Sequence, residues 1–71
     1  MPDSVYKIIE VVGSSPESWE KAAAAAVERA GAHLRDLRIA DVVAQDATVH
    51  DGKIEAYRTK LRLSFKYEEG A

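Results

Sequence analysis

The sequence predicts a small α+β fold of three strands and one helix, in the order β-α-β-β, with the last two strands joined as an antiparallel hairpin. Three observations carry that expectation. Positions 5–12 form a run rich in β-branched residues that stops at Gly13. Positions 16–34 carry an apolar stripe at helical spacing. Two further strand-like runs flank Asp51-Gly52, a strong two-residue hairpin signal because both turn positions require positive φ.

The first strand, VYKIIEVV, is apolar on both faces, so its inward face cannot be assigned from the pattern. For the helix start, Ser15 as N-cap with Pro16 at the first helical position suits proline's fixed φ. The stripe is Trp19, Ala22, Ala23, Ala26, Val27, Ala30, His33 and Leu34. Glu17 and Lys21 form a favourable i,i+4 pair beside it, and Gly31 weakens the last turn. The second strand spans 38–50 and the third 53–67. The third alternates cleanly, with Tyr57, Thr59, Leu61, Leu63, Phe65 and Tyr67 on one face and Arg58, Lys60, Arg62, Ser64 and Lys66 on the other. If Asp51-Gly52 is the whole loop, Val42 lies opposite Leu61 and Ala40 opposite Leu63, on the helix side. The polar side then pairs Asp41 with Arg62, Val43 with Lys60 and Gln45 with Arg58, a charge pattern that suits a ladder.

These elements make one domain, 1–71, too small to be stable without help: a chain of this size buries only about 60% of its unfolded surface. It has no cysteine, which excludes disulfides and thiolate zinc sites. The lone histidines His33 and His50 make no metal core. Oligomerisation is the remaining support. Lengths agree: strands of about 15 residues span roughly 50 Å, whereas a helix of about 19 residues spans about 28 Å. One helix cannot cover that sheet. The uncovered end carries Val49, Ile54 and Tyr57, and copies of the chain are expected to lie across it.

Composition narrows the partners. A net charge of −2 argues against nucleic acid, which selects basic surfaces. The longest apolar run, 22–27, is far short of the roughly 20 residues that span a bilayer. The first residues show no signal-peptide pattern, so a cytoplasmic protein is expected. No nucleophile–base pair, phosphate loop or EF-hand loop is present, and no enzymatic activity is expected. Trp19 reads as a core or interface anchor, His33 as a packed histidine and His50 as solvated. The basic row Arg58, Lys60, Arg62 and Lys66 reads as a solvated face, unless oligomerisation closes it into a cavity where Arg58 and Gln45 become ligand-facing donors.

Element order and local segments together resemble the dodecin family. The likeness rests on residues 5–7 and 11–16, Ala30, Asp41-Val42-Val43 and Leu61-Arg62-Leu63-Ser64-Phe65, and covers nearly the whole chain. It implies a three-stranded antiparallel sheet wrapped around one helix and twelve subunits in a hollow shell, a homododecamer that binds flavins (riboflavin or FMN) between subunits, for storage or quenching rather than turnover. A Trp on the second strand stacks on the ring, and a Gln on the third hydrogen-bonds its edge. Here those positions hold Ile39 and Arg58. An aliphatic side chain offers no aromatic plane, and stacking contributes about 1 to 3 kcal/mol by analogy with base stacking. Flavin affinity is therefore expected to be weakened tenfold to a hundredfold, or lost. The chain looks closer to the branch named calcium dodecins, through Ser18-Trp19-Glu20, Arg38-Ile39-Ala40, Gln45-Asp46 and residues 57–61. Asp46 and Asp51 are candidate calcium ligands only because a hard cation prefers carboxylate oxygens. The expected ligand is thus a small molecule or an ion, and a purely structural module is the bland alternative.

Overall fold

The computed structural model describes residues 3–66. In chain order it contains β1 (Tyr6–Ser15), α1 (Trp19–Gly31), β2 (Leu37–His50) and β3 (Lys53–Lys66). β3 is central, with β1 and β2 antiparallel on either side. The fold class is the one expected: a three-stranded antiparallel sheet and one helix. The expected end of β3 at Tyr67 lies outside the described residues. No helix among the described residues is long and apolar enough to cross a membrane.

The local boundaries differ from the sequence reading at the end of β1 and at both ends of α1. β1 does not stop at Gly13; it continues to Ser15, which pairs with Tyr57. Glycine is required there by packing. A Cβ on Gly13 would overlap the carbonyl oxygen of Ala22 and lie 2.8 Å from its carbonyl carbon and 3.0 Å from Ala26 Cβ. The bare backbone lets α1 settle directly on β1. Second, the N-cap is Ser18, not Ser15. Ser18 is extended (φ −167°, ψ 164°) and its hydroxyl accepts the Lys21 N–H, while Ser15 Oγ accepts the Glu17 N–H in the preceding bend. The expected Glu17–Lys21 pair forms at 3.0 Å. α1 ends at Gly31 rather than Leu34, although Leu34 N–H still donates to the Ala30 carbonyl. His33 falls beyond the helix and is exposed, so it is not the packed histidine expected from the stripe.

α1 packs on β1 and β3 and barely touches β2. Leu61, Leu63, Thr59 and Ala22 are the buried centre. That core is thin for the molecule's length. The chain measures 53 × 20 × 15 Å with a radius of gyration of 14.7 Å, against about 11 Å for a compact chain of this length. Its accessible surface is 5439 Å², roughly 1,000 Å² more than a globular monomer of this mass exposes. The hairpin end is bare, with Val49 66% and Ile54 53% exposed. Tyr57 is half-buried instead, because the Trp19 ring packs edge-on against it at 4.8 Å.

The hairpin register is as expected at Ala40–Leu63, Asp41–Arg62 and Val42–Leu61, and differs beyond them. Val43 is an extra residue in β2, so Ala44 meets Lys60, Gln45 meets Thr59 and Asp46 meets Arg58. Glu55 is an extra residue in β3 and restores the original register at Val49–Ile54 and His50–Lys53. The expected pairs Val43–Lys60 and Gln45–Arg58 are therefore replaced. A β-bulge adds one residue to one strand and turns over everything after it until a second bulge compensates.

Candidate functional site: the polar face of the sheet

The face of the sheet turned away from α1 combines charges from all three strands. Its members follow from the alternation that buries Thr59, Leu61 and Leu63 on the other side. Arg58, Lys60 and Arg62 come from β3, Glu10 from β1, and Ile39, Asp41 and Asp46 from β2. Arg58 holds Asp46 with one edge of its guanidinium: Nε donates to Oδ1 at 2.7 Å and Nη2 to Oδ2 at 2.8 Å. This bidentate geometry is the strong form of an Arg–carboxylate pair. Glu10 takes two cations, Arg62 at 3.0 Å and Lys60 at 3.5 Å. Both carboxyls are held below their ordinary range, Asp46 by the hydrogen bond from Arg58 and Glu10 by that from Arg62, with Lys60 adding its charge. Arg58 is correspondingly pushed up by Asp46.

The sequence-derived site residues divide on this geometry. Ile39 and Arg58 share the polar face, with Ile39 opposite Ser64 and 55% exposed. Ser64 and Arg58 are six residues apart on β3, about 20 Å at the rise of a strand. Within one chain Ile39 and Arg58 are therefore well separated along the polar face. Gln45, shifted by the Val43 bulge, lies across from Thr59 on the helix side and is exposed. Asp46 takes its place beside Arg58. Asp51 sits in the turn with φ 51°, five residues and about 16 Å along the strand from Asp46, and its Oδ2 lies 3.4 Å from the imidazole of the exposed His50. Asp46 and Asp51 are not brought together, and no group of three or more His, Asp or Glu side chains suited to a metal occurs among the described residues.

Two contributors escaped the sequence reading. Glu10 was invisible because β1 is apolar on both faces and its partner Arg62 is 52 residues away; its only signal is a lone carboxylate in the middle of a β-branched run. The second is the buckle around Trp19. Its Nε1–H donates to the Asp46 carbonyl at 2.9 Å, and its own carbonyl accepts Thr59 Oγ1 at 2.9 Å. The helix start is thus pinned to the strand that carries the Arg58–Asp46 pair, in keeping with a structural role for Trp19.

A three-stranded antiparallel sheet half-wrapped on one short helix, with a charged and solvent-open outer face, defines a small β-α-β-β protein. Residues 5–68 match the family profile described as Dodecin. The curated relatives include the calcium dodecin of Mycobacterium tuberculosis, 51% identical over 89% of each chain, and the dodecin of Thermus thermophilus, 37% identical over 92% of this chain and 94% of the relative. Among solved structures, the dodecin from Streptomyces coelicolor superposes with a TM-score of 0.91 at 34% identity, covering 99% of this chain and all of that one. The M. tuberculosis structure is described as a calcium-chelating immunodominant antigen with a novel calcium-binding site; it superposes at 0.82 with 47% identity, covering 96% and 97%. The chain belongs to the dodecin family.

Proposed function

We propose that this protein is a non-enzymatic homododecamer that binds and stores or sequesters a small ligand, working in the cytoplasm, with flavin binding weakened or lost. The observation that carries this reading is the paired state of the polar face. Ile39 offers an apolar wall without a π-surface. Arg58 sets the Nε–Nη2 edge of its guanidinium on Asp46, so a charged and already paired group stands at the flavin-edge position, with only Nη1 and one Nη2 hydrogen open to a ligand. Assembly is supported by the excess surface and the bare hairpin end.

A second reading, a calcium- or other cation-binding shell, is favoured by the 51% identity to a protein named calcium dodecin. Calcium takes six to eight oxygens. Asp46 and Asp51 of one chain do not supply such a set, so copies would have to pool their carboxylates and carbonyls.

The two readings part in a pair of titrations on the assembled protein. Riboflavin and FMN fluorescence should show weak or no quenching. A calorimetric calcium titration of chelator-treated protein should show saturable binding only if the second reading holds. A protein that purifies yellow and quenches flavin tightly would overturn the weakened-flavin reading.

A further inference from the structure

The turn between β2 and β3 brings together what an aspartate needs to rearrange its own backbone. Asp51 and Gly52 both have positive φ, 51° and 72°, and fill a tight two-residue turn between the paired His50 and Lys53. Among the described residues no arginine or lysine holds the Asp51 carboxylate. Its one charged neighbour is the His50 imidazole at 3.4 Å, and the two side chains are 88% and 73% exposed. The Gly52 N–H takes no backbone partner across the turn. Nothing packs on Gly52 either: the place where a Cβ would stand has no atom within 4 Å. Glycine also leaves its amide nitrogen the least shielded and its backbone the most free to rotate. The aspartates of β2 are the contrast. Asp41 precedes Val42 and Asp46 precedes Ala47; both stand in the ladder, and Arg58 ties the Asp46 carboxylate.

We propose that Asp51 is a site of spontaneous conversion to isoaspartate. The Gly52 nitrogen attacks the carboxyl carbon of Asp51. The N–Cγ bond forms, the bond from Cγ to its hydroxyl breaks, and the nitrogen's proton leaves with that hydroxyl as water. The resulting five-membered succinimide takes water back at either carbonyl. Opening at Cγ restores aspartate. Opening at the main-chain carbonyl leaves Gly52 attached through the Asp51 side chain, so the main chain gains one carbon and the former main-chain carbonyl becomes the free carboxylate. Water lost in the first step is regained in the second, and no other reactant enters. A two-residue turn has no slack for the added atom, so the pairs beside it, His50–Lys53 and Val49–Ile54, loosen in the converted chain. The step is intramolecular and independent of the ligand reading above.

The test is to age the folded protein for weeks at physiological temperature and pH. Digestion with a protease that cuts before aspartate but not before isoaspartate, read by mass spectrometry, then reports each position. Isoaspartate should accumulate at Asp51 at least about tenfold faster than at Asp41 or Asp46, where a larger residue follows and the ladder holds the backbone. The aged parent should melt lower than fresh protein. Asp51→Ser cannot form the ring; it should show no conversion at that position and keep its melting temperature on ageing. Asp51→Asn suits the same turn and closes the ring with loss of ammonia, so it should convert faster and yield both aspartate and isoaspartate. Conversion at Asp51 no faster than at Asp41 and Asp46 overturns the proposal. An Asp51→Asn protein that folds and stays unconverted also overturns it, because the turn then forbids ring closure.

Discussion

Replacing Gly13 by alanine should do the reverse of what such a change does in an ordinary strand. Glycine within a strand is normally worse than alanine by roughly 0.5 to 1 kcal/mol, because it has more freedom to lose. At Gly13 the added methyl would overlap the Ala22 carbonyl and crowd Ala26. The first obstacle is backbone, so no rotamer change relieves it. α1 would have to retreat from β1 by a shift on the order of an ångström, loosening Ala22 and its contact with the buried Thr59–Leu63 row. Overpacking of this kind costs about 3 kcal/mol at the upper end of its range, which in a domain this small lowers the melting temperature by about 15 °C. Gly31→Ala is the internal control. Its Cβ would have only Leu37 Cδ2 nearby, at 3.9 Å, so it should be neutral or stabilise by up to about 1 kcal/mol. The measurement is thermal unfolding of the three proteins at one chain concentration, since an oligomer's midpoint depends on it. A Gly13→Ala protein that melts within a degree or two of the parent would refute the claim that α1 rests directly on the β1 backbone.

Other outcomes can be checked in parallel. Trp19→Ala should destabilise by about 3 kcal/mol, because it removes the Tyr57 contact and the bond to the Asp46 carbonyl; Trp19→Phe should cost about 1 kcal/mol, chiefly the lost hydrogen bond, and equal stability of both variants with the parent would show that the buckle contributes nothing. Ile39→Trp combined with Arg58→Gln should tighten riboflavin at least tenfold, about 1.4 kcal/mol, in a fluorescence titration, each single change helping less; no gain in an assembled double variant would mean that the cavity serves another ligand. Glu10 and Asp46 are both held below their ordinary values, so their ion pairs stabilise above those values and fade as pH falls through the depressed ones. Stability should therefore drop in acid below pH 4.5, the ordinary value for Glu10, by a small amount given the exposure of both groups. Glu10→Gln should flatten that slope, and an unchanged acid profile would count against the pairing.

Much of the fold was legible because its determinants are local. The Asp51-Gly52 turn, the alternation of β3 and the helical stripe each read from neighbouring residues, and together they fix the element order. The boundaries failed where a distant group decided them. Gly13 looked like a strand terminator, and only the approach of Ala22 reveals it as a packing site. Ser15 looked like the N-cap, but its pairing with Tyr57 holds it in the sheet and leaves Ser18 to cap. The candidate site was legible as a set of residue types and not as an arrangement. Arg58 and Ile39 were placed on the polar face correctly, yet the bulges at Val43 and Glu55 have no local signature, and they decide that Asp46 rather than Gln45 stands beside Arg58. Glu10 needed the pairing of β1 with β3, which no short-range pattern encodes.

The two bulges behave as a pair of opposite dislocations. Between Val43 and Glu55 the strands run out of phase with the rest of the hairpin; outside that window Ile39 to Val42 and the residues at the turn share one phase, which slips once more between Leu37 and Ile39. A stretch of β2 has thus been rotated by half a period while the turn and the core pairs at Leu61 and Leu63 stay where they were. Removing one dislocation would not melt the hairpin. Excising Val43 would straighten β2 and leave Ala44 opposite Lys60, Gln45 opposite Thr59 and Asp46 opposite Arg58. The Arg58–Asp46 pair is thus held by the offset of the two strands and not by Val43 itself, which the outer wall of the sheet can lose without exchanging its carboxylate for an amide.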